Sequence, residues 1–222
     1  MQQASTLIDT TIGRKAVMAI TGIVLFGFVI GHMLGNLQVF LGPEALNAYA
    51  DNLHTLGPLL WGVRLFLLFA LVLHIAMMFS LWGKTIDARG TAYRMRRYST
   101  SDYASRTMWL TGPLIFFFLA YHIAHFTYPG IAMGDYEHLG YSQVYTNVVN
   151  GFQVPWVAAL YVLAQGALGL HLYHGGWSML QSLGLAGGKQ EARRRAWARS
   201  IAAVVVIGNI SIPVAVLAGV IR

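Results

Sequence analysis

Histidine is the residue type whose placement in this sequence most suggests chemistry, because several histidines lie inside segments too apolar to face water. Ala167–Gly184 holds two of them, and four different apolar segments contain at least one each: His32, His74, His122 and His171. A neutral imidazole binds metals and haem iron and also forms hydrogen bonds. Polar side chains within a bilayer usually point into the protein and serve its function. We therefore interpret these histidines as candidate ligands.

The composition indicates an integral membrane protein. Of the 222 residues, 56% are hydrophobic and only 10% are charged, whereas soluble domains carry about 25% charged residues. The net charge is +7, but the basic residues lie in short clusters between apolar segments, which indicates topology and lipid or partner contacts rather than nucleic-acid binding. The chain has no cysteine, which excludes disulfides, thiolate zinc sites, iron–sulfur ligation and covalent c-type haem. Any cofactor must therefore be held by histidine or oxygen.

Five segments are long enough to cross the hydrocarbon core as helices, which takes about 20 residues. They cover about 15–40, 59–83, 107–128, 154–183 and 197–220. Residues 1–222 are therefore predicted to form a single transmembrane domain with short loops. The loops at 41–58 and 129–153 contain no Lys or Arg, and the other loops are basic. The positive-inside rule then places the N-terminus in the cytoplasm and the C-terminus outside.

The histidines of the first four segments fall at two depths. With a rise of 1.5 Å per residue, His32 and His122 lie about 25 Å from the cytoplasmic edge. His74 and His171, on helices that run the opposite way, lie about 15 and 20 Å from that edge. Four antiparallel helices thus present an outer pair and an inner pair, which suits two stacked haems with bis-histidine ligation.

A short repeat supports this pairing. Thr21–His32 and Thr111–His122 both consist of Thr-Gly, nine residues and His. Because both helices run from inside to outside, the repeat puts the two histidines at matching depth. Glycine beside a ligand leaves a flat macrocycle room near the backbone, and Gly35 and Gly175 lie on the faces of their ligands.

Two of these helices contain a second histidine, and its role has several interpretations. His125 follows His122 by three residues, and His174 follows His171 by three, so each lies close to its neighbour's face. Either is a candidate to hydrogen-bond a haem propionate or a quinone, or lies at the membrane interface.

Three further polar residues lie near the outer face. Arg64 is either an interfacial residue or a partner of a haem propionate, and we favour the partner because the outer loops contain no other basic residue. His54 and His138 are in outer loops, where solvated side chains are the favoured interpretation. The alternative for His54, with Asp51 one turn away if the segment is helical, is a proton acceptor for quinol oxidation.

Other classes of site fit less well. A zinc or proton-relay cluster requires histidines at one depth, or carboxylates beside them. No Asp or Glu lies within the predicted spans, which also argues against a proton-driven transporter. A haem-free transporter or channel is the alternative of a different class.

Four stretches resemble the single-chain di-haem cytochrome b subunit of succinate dehydrogenases and fumarate reductases. They are GHMLGN around His32, LVLH ending at His74, FFFLAYHIAHF around His122, and GLHLYHGGWSMLQSLG around His171. The resemblance covers nearly the whole chain and implies that these four histidines are the haem ligands. Within it, the Thr-Gly spacing selects His122 over His125, and the spacing to Gly184 selects His171 over His174.

The resemblance implies an all-α membrane protein whose first four helices form an antiparallel bundle around two stacked b haems. A flavoprotein subunit and an iron–sulfur subunit are expected on the cytoplasmic side of a bacterial cytoplasmic membrane. This chain would relay electrons between the iron–sulfur clusters and a quinone such as menaquinone. Homo-oligomers of the whole complex are compatible with this assembly. Succinate or fumarate chemistry is expected in the partner, so the chain has no catalytic residue of its own and contributes the quinone site.

The basic inner loops are expected to face the iron–sulfur subunit or anionic lipid, especially Arg94–Arg97 and Arg193–Arg195. The alternative within the same class is the cytochrome b subunit of a hydrogenase or formate dehydrogenase. Two positions depart from the family pattern. Some fumarate reductases have a glutamate two residues before the fourth ligand, where this chain has Gly169, and the outer-loop glutamate has no clear match, with His54 lying about there. These differences favour an enzyme without transmembrane proton compensation and leave the direction of the reaction open.

Overall fold

The computed structural model describes residues 7–88, 90, 101–127, 139–185 and 190–222. These residues form helices and no strand. Seven are α-helices: α1 (Thr11–Asn36), α2 (Pro43–Thr55), α3 (Pro58–Asp87), α4 (Tyr103–Phe126), α5 (Val144–Gln153), α6 (Pro155–Ser182) and α7 (Glu191–Leu217). Short 3-10 helices cover Leu7–Asp9, Leu37–Leu41 and Tyr141–Gln143.

Five of these helices, α1, α3, α4, α6 and α7, are long and apolar enough to cross a membrane. This confirms the prediction of an all-α chain with five membrane-spanning helices. The bounds agree with the predicted ones to within a few residues, except that α7 begins at Glu191 rather than near residue 197. Its first two turns carry the basic cluster, which a hydropathy criterion excludes although the backbone is already helical.

The starts of the helices follow local signals. Thr10 and Asp102 are the N-caps of α1 and α4, where their side chains accept hydrogen bonds from the backbone N–H groups of Gly13 (3.0 Å) and Ser105 (2.8 Å). A proline, whose missing N–H costs nothing in the first turn, begins three other helices: Pro43, Pro58 and Pro155. The sequence thus specifies locally where most of these helices begin.

The prediction that 41–58 and 129–153 are plain loops was wrong for their described parts, because α2 and α5 lie there. Both helices are too short to span a membrane. They pack over the outer ends of the spanning helices, where Leu46 of α2 and Val149 and Phe152 of α5 join a buried apolar cluster with Val157 and Ile212. Residues 128–138 lie outside the described part.

The spanning helices pack in a defined order. α1 packs against α3 and α6, α4 packs against α6, and α7 lies against α6 and α1. Along these contacts, four of the helices follow the order α3, α1, α6, α4. We call α1/α4 and α3/α6 the diagonal pairs, because the two members of each are separated by one helix in this order.

Basic residues from several of the described helices gather at one end of the bundle. Arg14 of α1 donates a hydrogen bond to the Ser80 hydroxyl of α3, and the Lys84 ammonium of α3 donates to the Asp9 carbonyl at 2.8 Å. At the same end, Arg195 of α7 pairs with the α4 N-cap Asp102 at 2.7 Å. That this end faces the cytoplasm stays a prediction of the positive-inside rule.

Candidate functional site

The predicted inner pair, His74 and His171, lies across the diagonal between α3 and α6. The centroids of the two imidazole rings are 6.4 Å apart, and the ring planes are inclined by 58°. The two helices bring the rings together in a tilted arrangement although the residues are far apart in the sequence. The structure thus places together the two histidines that were paired by estimated depth.

The Nδ1 edge of the His74 ring contacts α1. Its Nδ1 atom lies 3.1 Å from the Met18 carbonyl oxygen and 3.2 Å from the Thr21 hydroxyl oxygen. Because a carbonyl oxygen only accepts hydrogen bonds, Nδ1 carries the proton and donates it. The Nε2 atom of His74 then keeps its lone pair, which is the state that binds a metal.

The predicted outer pair, His32 and His122, lies across the other diagonal, between α1 and α4. Their ring centroids are 5.7 Å apart and the ring planes are nearly perpendicular, at 83°. Phe28 stacks on His32 at 5.4 Å and Phe118 on His122 at 5.9 Å, each from one turn earlier in the same helix. These phenyl rings help to set the orientation of both imidazoles.

Tyr161 of α6 connects the two histidines of α4. Its buried hydroxyl oxygen lies 3.2 Å from Nδ1 of His122 and 2.8 Å from Nδ1 of His125. A hydroxyl has one proton to donate and lone pairs to accept with. When His122 donates Nδ1–H to Tyr161, its Nε2 is free for a metal, and Tyr161 in turn donates to Nδ1 of His125. Tyr161 could not be predicted as a site residue, because a tyrosine in an apolar helix carries no local signal of a functional role.

His125 itself is only 2% exposed. It stacks on Tyr121 with ring centroids 5.5 Å apart, and a Cβ atom added at Gly151 of α5 would lie 3.0 Å from its Cε1 atom. This burial is incompatible with the interfacial interpretation of His125. The ring that meets His32 is that of His122.

His174 lies one turn further along α6 towards the basic end. Its ring meets the edge of the Trp177 ring at 5.2 Å, and its Nδ1 atom is buried without a hydrogen-bond partner among the described residues. The guanidinium of Arg195 lies over the same Trp177 ring, 4.0 Å from its centroid. His74 meets His171 and not His174.

Arg195, in the basic cluster Arg193–Arg195, pairs with Asp102 at 2.7 Å and with Glu191 at 2.8 Å. That this cluster faces an iron–sulfur subunit or anionic lipid stays a prediction. Burial by itself acts to raise the pKa of Asp102, but the hydrogen bond from the Ser105 N–H and the charge of Arg195 outweigh it and lower that pKa from its ordinary value. Arg193 is exposed, and Arg94–Arg97 lie outside the described residues.

Arg64 at the start of α3 and His54 on α2 lie at the end of the bundle opposite Arg14 and Lys84. That this end is the outer one stays a prediction. The Arg64 guanidinium is 5.1 Å from the ring centroid of Trp61, an exposed aromatic of the kind found at membrane interfaces. His54 is half-buried on α2, one turn after Asp51, and its ring packs against that of Tyr141 at 4.1 Å. Whether His54 is a solvated side chain or a proton acceptor for quinol oxidation stays a prediction. His138 is outside the described residues.

The two glycines predicted to leave room for a macrocycle differ. At Gly35 an added Cβ atom would lie 2.5 Å from the Tyr49 hydroxyl, so Gly35 makes room for α2 and that prediction was wrong. At Gly175 an added Cβ would meet nothing within 4 Å. Gly169 is at the position where some fumarate reductases have a glutamate, and a Cβ atom added there would lie 2.7 Å from the Val206 Cγ2 atom of α7. Gly169 therefore faces α7 and has no space for a longer side chain.

Comparisons with known proteins add no identification: the chain matches no protein-family model, no curated protein and no solved structure. The interpretation of the site therefore depends on the geometry of these residues and on the resemblance of the histidine motifs.

The ring separations of the two pairs can be compared with those of a metal ion held between two imidazoles. Metal–imidazole bonds are about 2 Å long, so an iron bound by two Nε2 atoms separates the ring centroids by about 6 Å. The observed separations are 6.4 Å for the inner pair and 5.7 Å for the outer pair. Zinc would require more ligands, and no group of three or more His, Asp or Glu side chains in the described residues could hold a metal ion. Two-ligand histidine pairs suit a macrocycle that supplies the remaining four ligands.

Proposed function

We propose that this chain is a di-haem cytochrome b that anchors a succinate:quinone oxidoreductase in the membrane. The inner pair would hold one b haem and the outer pair the other, and the chain would conduct electrons between an iron–sulfur subunit and a membrane quinone. The observation that carries this proposal is the pairing of four histidines across two diagonals of one bundle, with ring separations of 6.4 and 5.7 Å.

The two pairs lie at different depths along α1. Thr21, which touches His74 of the inner pair, precedes His32 of the outer pair by eleven residues on the same helix, which is about 16 Å along the axis. The two sites thus succeed one another across the bilayer. When bound, haem b supplies one-electron chemistry between its ferrous and ferric states.

The chain's own residues supply ligation, orientation and a dry setting. His74 and His122 each have Nδ1 within hydrogen-bonding distance of an oxygen atom, which leaves Nε2 for a metal. Phe28 and Phe118 cover the outer imidazoles. Among the spanning helices, acidic residues occur only at the ends, Asp87 of α3 and Glu191 of α7, so an electron does not meet a fixed negative charge between the sites.

The direction of assembly follows from charge. We propose that the end carrying Arg14, Lys84 and Arg193 faces the cytoplasm of a bacterial cell and receives the iron–sulfur subunit, which is joined to a flavoprotein subunit. The quinone would bind near the outer pair, where Arg64 and His54 supply a donor and a proton acceptor. Succinate or fumarate chemistry would then reside wholly in the partner, with a quinone such as menaquinone as the membrane substrate.

The decisive experiment is haem analysis of the purified protein in detergent. A pyridine haemochrome assay is expected to give two b haems per chain, and electron paramagnetic resonance two low-spin bis-histidine signals. Fewer than about one haem per chain would contradict the proposal and favour a haem-free transporter or channel.

A second experiment separates succinate:quinone oxidoreductase from the cytochrome b of a hydrogenase or formate dehydrogenase. Membranes containing the native complex are treated in turn with succinate, hydrogen and formate, and reduction of the b haems is followed optically. Succinate-dependent reduction is expected. Reduction by hydrogen or formate alone would identify the other type of complex.

A further inference from the structure

The Thr-Gly repeat has a role that its agreement in depth does not explain. Thr21 and His32 are eleven residues apart on α1, and eleven residues make almost exactly three helical turns. Thr21 therefore lies on the same face as His32 but one layer deeper, at the level of the inner pair. The repeat on α4 places Thr111 in the same relation to His122.

The contacts of Thr21 agree with this position. Thr21 is 6% exposed, and its hydroxyl donates to the Val17 carbonyl at 2.9 Å. The hydroxyl oxygen keeps a lone pair directed at Nδ1 of His74, 3.2 Å away. The Nδ1–H of His74 is thereby shared between Thr21 and the Met18 carbonyl, at 3.1 Å.

Gly22 completes this arrangement. A Cβ atom added there would lie 3.4 Å from Cε1 of His74. The imidazole therefore lies close to the backbone of α1 at Gly22. In the Thr-Gly pair, the Thr21 hydroxyl accepts a hydrogen bond from His74, and Gly22 leaves space for the imidazole ring.

We propose that Thr21 is a positioning residue for His74, and that the repeat serves to hold the inner ligands from the helices that carry the outer ones. The role extends to Thr111 and His171. Thr111 is 3% exposed on α4, which packs against α6, and its hydroxyl makes two long contacts, at 3.5 Å to the Met108 carbonyl and at 3.9 Å to the Met108 sulfur. Nδ1 of His171 is buried without a hydrogen-bond partner among the described residues. This proposal rests on the proposed function.

A hydrogen bond accepted from Nδ1–H fixes the tautomer of a ligating histidine and makes its Nε2 atom more basic. A more basic ligand stabilises ferric over ferrous iron. The Thr21 hydroxyl is therefore expected to hold the potential of the inner haem down and to slow loss of that haem. Removing it should act on the inner haem and leave the outer one unchanged.

The test compares Thr21→Val, which keeps the shape and removes the acceptor, with Thr21→Ser, which retains it. The control is Thr107→Val, because within the described part of the chain the Thr107 hydroxyl bonds to carbonyls of its own helix, at 3.0 and 3.1 Å. Midpoint potentials are measured by optical redox titration of the purified protein, and haem retention by transfer to apomyoglobin.

Thr21→Val is expected to raise the potential of one haem, the one whose signal His74→Ala abolishes, and to speed its loss about 10-fold. Thr21→Ser should restore both values, Thr107→Val should change neither, and Thr111→Val should raise the same potential. Wild-type potentials and retention in Thr21→Val, or an equal shift in Thr107→Val, would overturn the proposal.

If Thr21→Val does not fold, Thr21→Ala is measured in its place, and failure of both to fold would also be contrary to a positioning role. Two haems in the wild-type protein with no effect at Thr21 would refute this inference alone. Absence of haem from the wild-type protein would refute the proposed function instead.

Discussion

The imidazole of His32 on α1 meets the imidazole of His122 on α4 edge-on, with ring centroids 5.7 Å apart. The helices that carry them lie diagonally across the bundle. The contact therefore depends on how α3, α1, α6 and α4 follow one another around the bundle. This contact distinguishes the two histidines of α4: the His122 ring meets His32, whereas His125, three residues further on, contacts the Tyr161 hydroxyl at 2.8 Å.

This relationship predicts which substitutions remove the same haem. His32→Ala and His122→Ala should each remove one low-spin signal, and the signal should be the same one, because the two residues bind one iron. His125→Ala should retain both signals, since His125 acts through Tyr161. Electron paramagnetic resonance and haem counts on the three purified variants check this. Loss of a haem in His125→Ala together with two haems in His122→Ala would reverse the assignment.

Tyr161→Phe tests the support of the outer pair. The substitution removes the hydroxyl that lies 3.2 Å from Nδ1 of His122. Both haems should remain, and the potential of the outer haem should rise because its ligand becomes less basic. Tyr121→Phe is the matched control, because the Tyr121 hydroxyl is buried without a hydrogen-bond partner among the described residues. A redox titration in which both variants shift the outer potential equally would refute a specific role for Tyr161.

Gly169→Ala should destabilise the fold through α7. The added Cβ would lie 2.7 Å from the Val206 Cγ2 atom, and overpacking of this kind typically costs about 1–3 kcal/mol. Val206→Ala should relieve the clash in the double variant. At Gly166 an added Cβ meets nothing within 4 Å, so Gly166→Ala should be neutral or stabilising by up to about 1 kcal/mol. Thermal unfolding in detergent measures all four proteins, and equal destabilisation by both glycine substitutions would contradict this packing.

Asp102 should contribute to stability in a manner that depends on pH. It caps α4 and pairs with Arg195 at 2.7 Å. Asp102→Asn retains an acceptor for the cap and loses the charge, whereas Asp102→Ala loses both and should cost about 1 kcal/mol more.

The pKa of Asp102 in the folded chain lies below its ordinary value of 3.8. The carboxylate's contribution is therefore present above that value and is lost as the pH falls through the lowered pKa. The difference in unfolding temperature between wild type and Asp102→Asn should be constant from pH 5 to 8, within the range above about pH 4 where the group is ionised in both states. It should shrink only in more acidic solution. A difference that disappeared near pH 6 would point to another titrating group.

Local chemistry made much of this architecture predictable. The five spans follow from apolar length, and the two histidine layers follow from the constant rise of a helix, because both depend only on the sequence of one segment. The same rule made Thr21 and Thr111 recognisable as a repeat. Their relation to the inner histidines required counting turns as well as depth.

The incorrect and missed features share one physical cause. Gly35 lies on the predicted helix, but the space beside it is filled by Tyr49 of α2, a helix with too little apolar content to be noticed. Arg195 lies in a basic cluster, but its charge is turned inward to Asp102 of another helix. In each case the partner comes from a distant part of the chain.

The sequence by itself determined that this is a five-span helical membrane protein with histidines at two paired depths, because length, hydropathy and helical rise are properties of single segments. Only the tertiary structure decided which histidine of each close pair meets a partner, and that Tyr161, Met18 and Thr21 hold the imidazoles. These choices depend on the rotation of each helix about its own axis and on the order of helices around the bundle. Both are set by packing between side chains that are remote in the sequence.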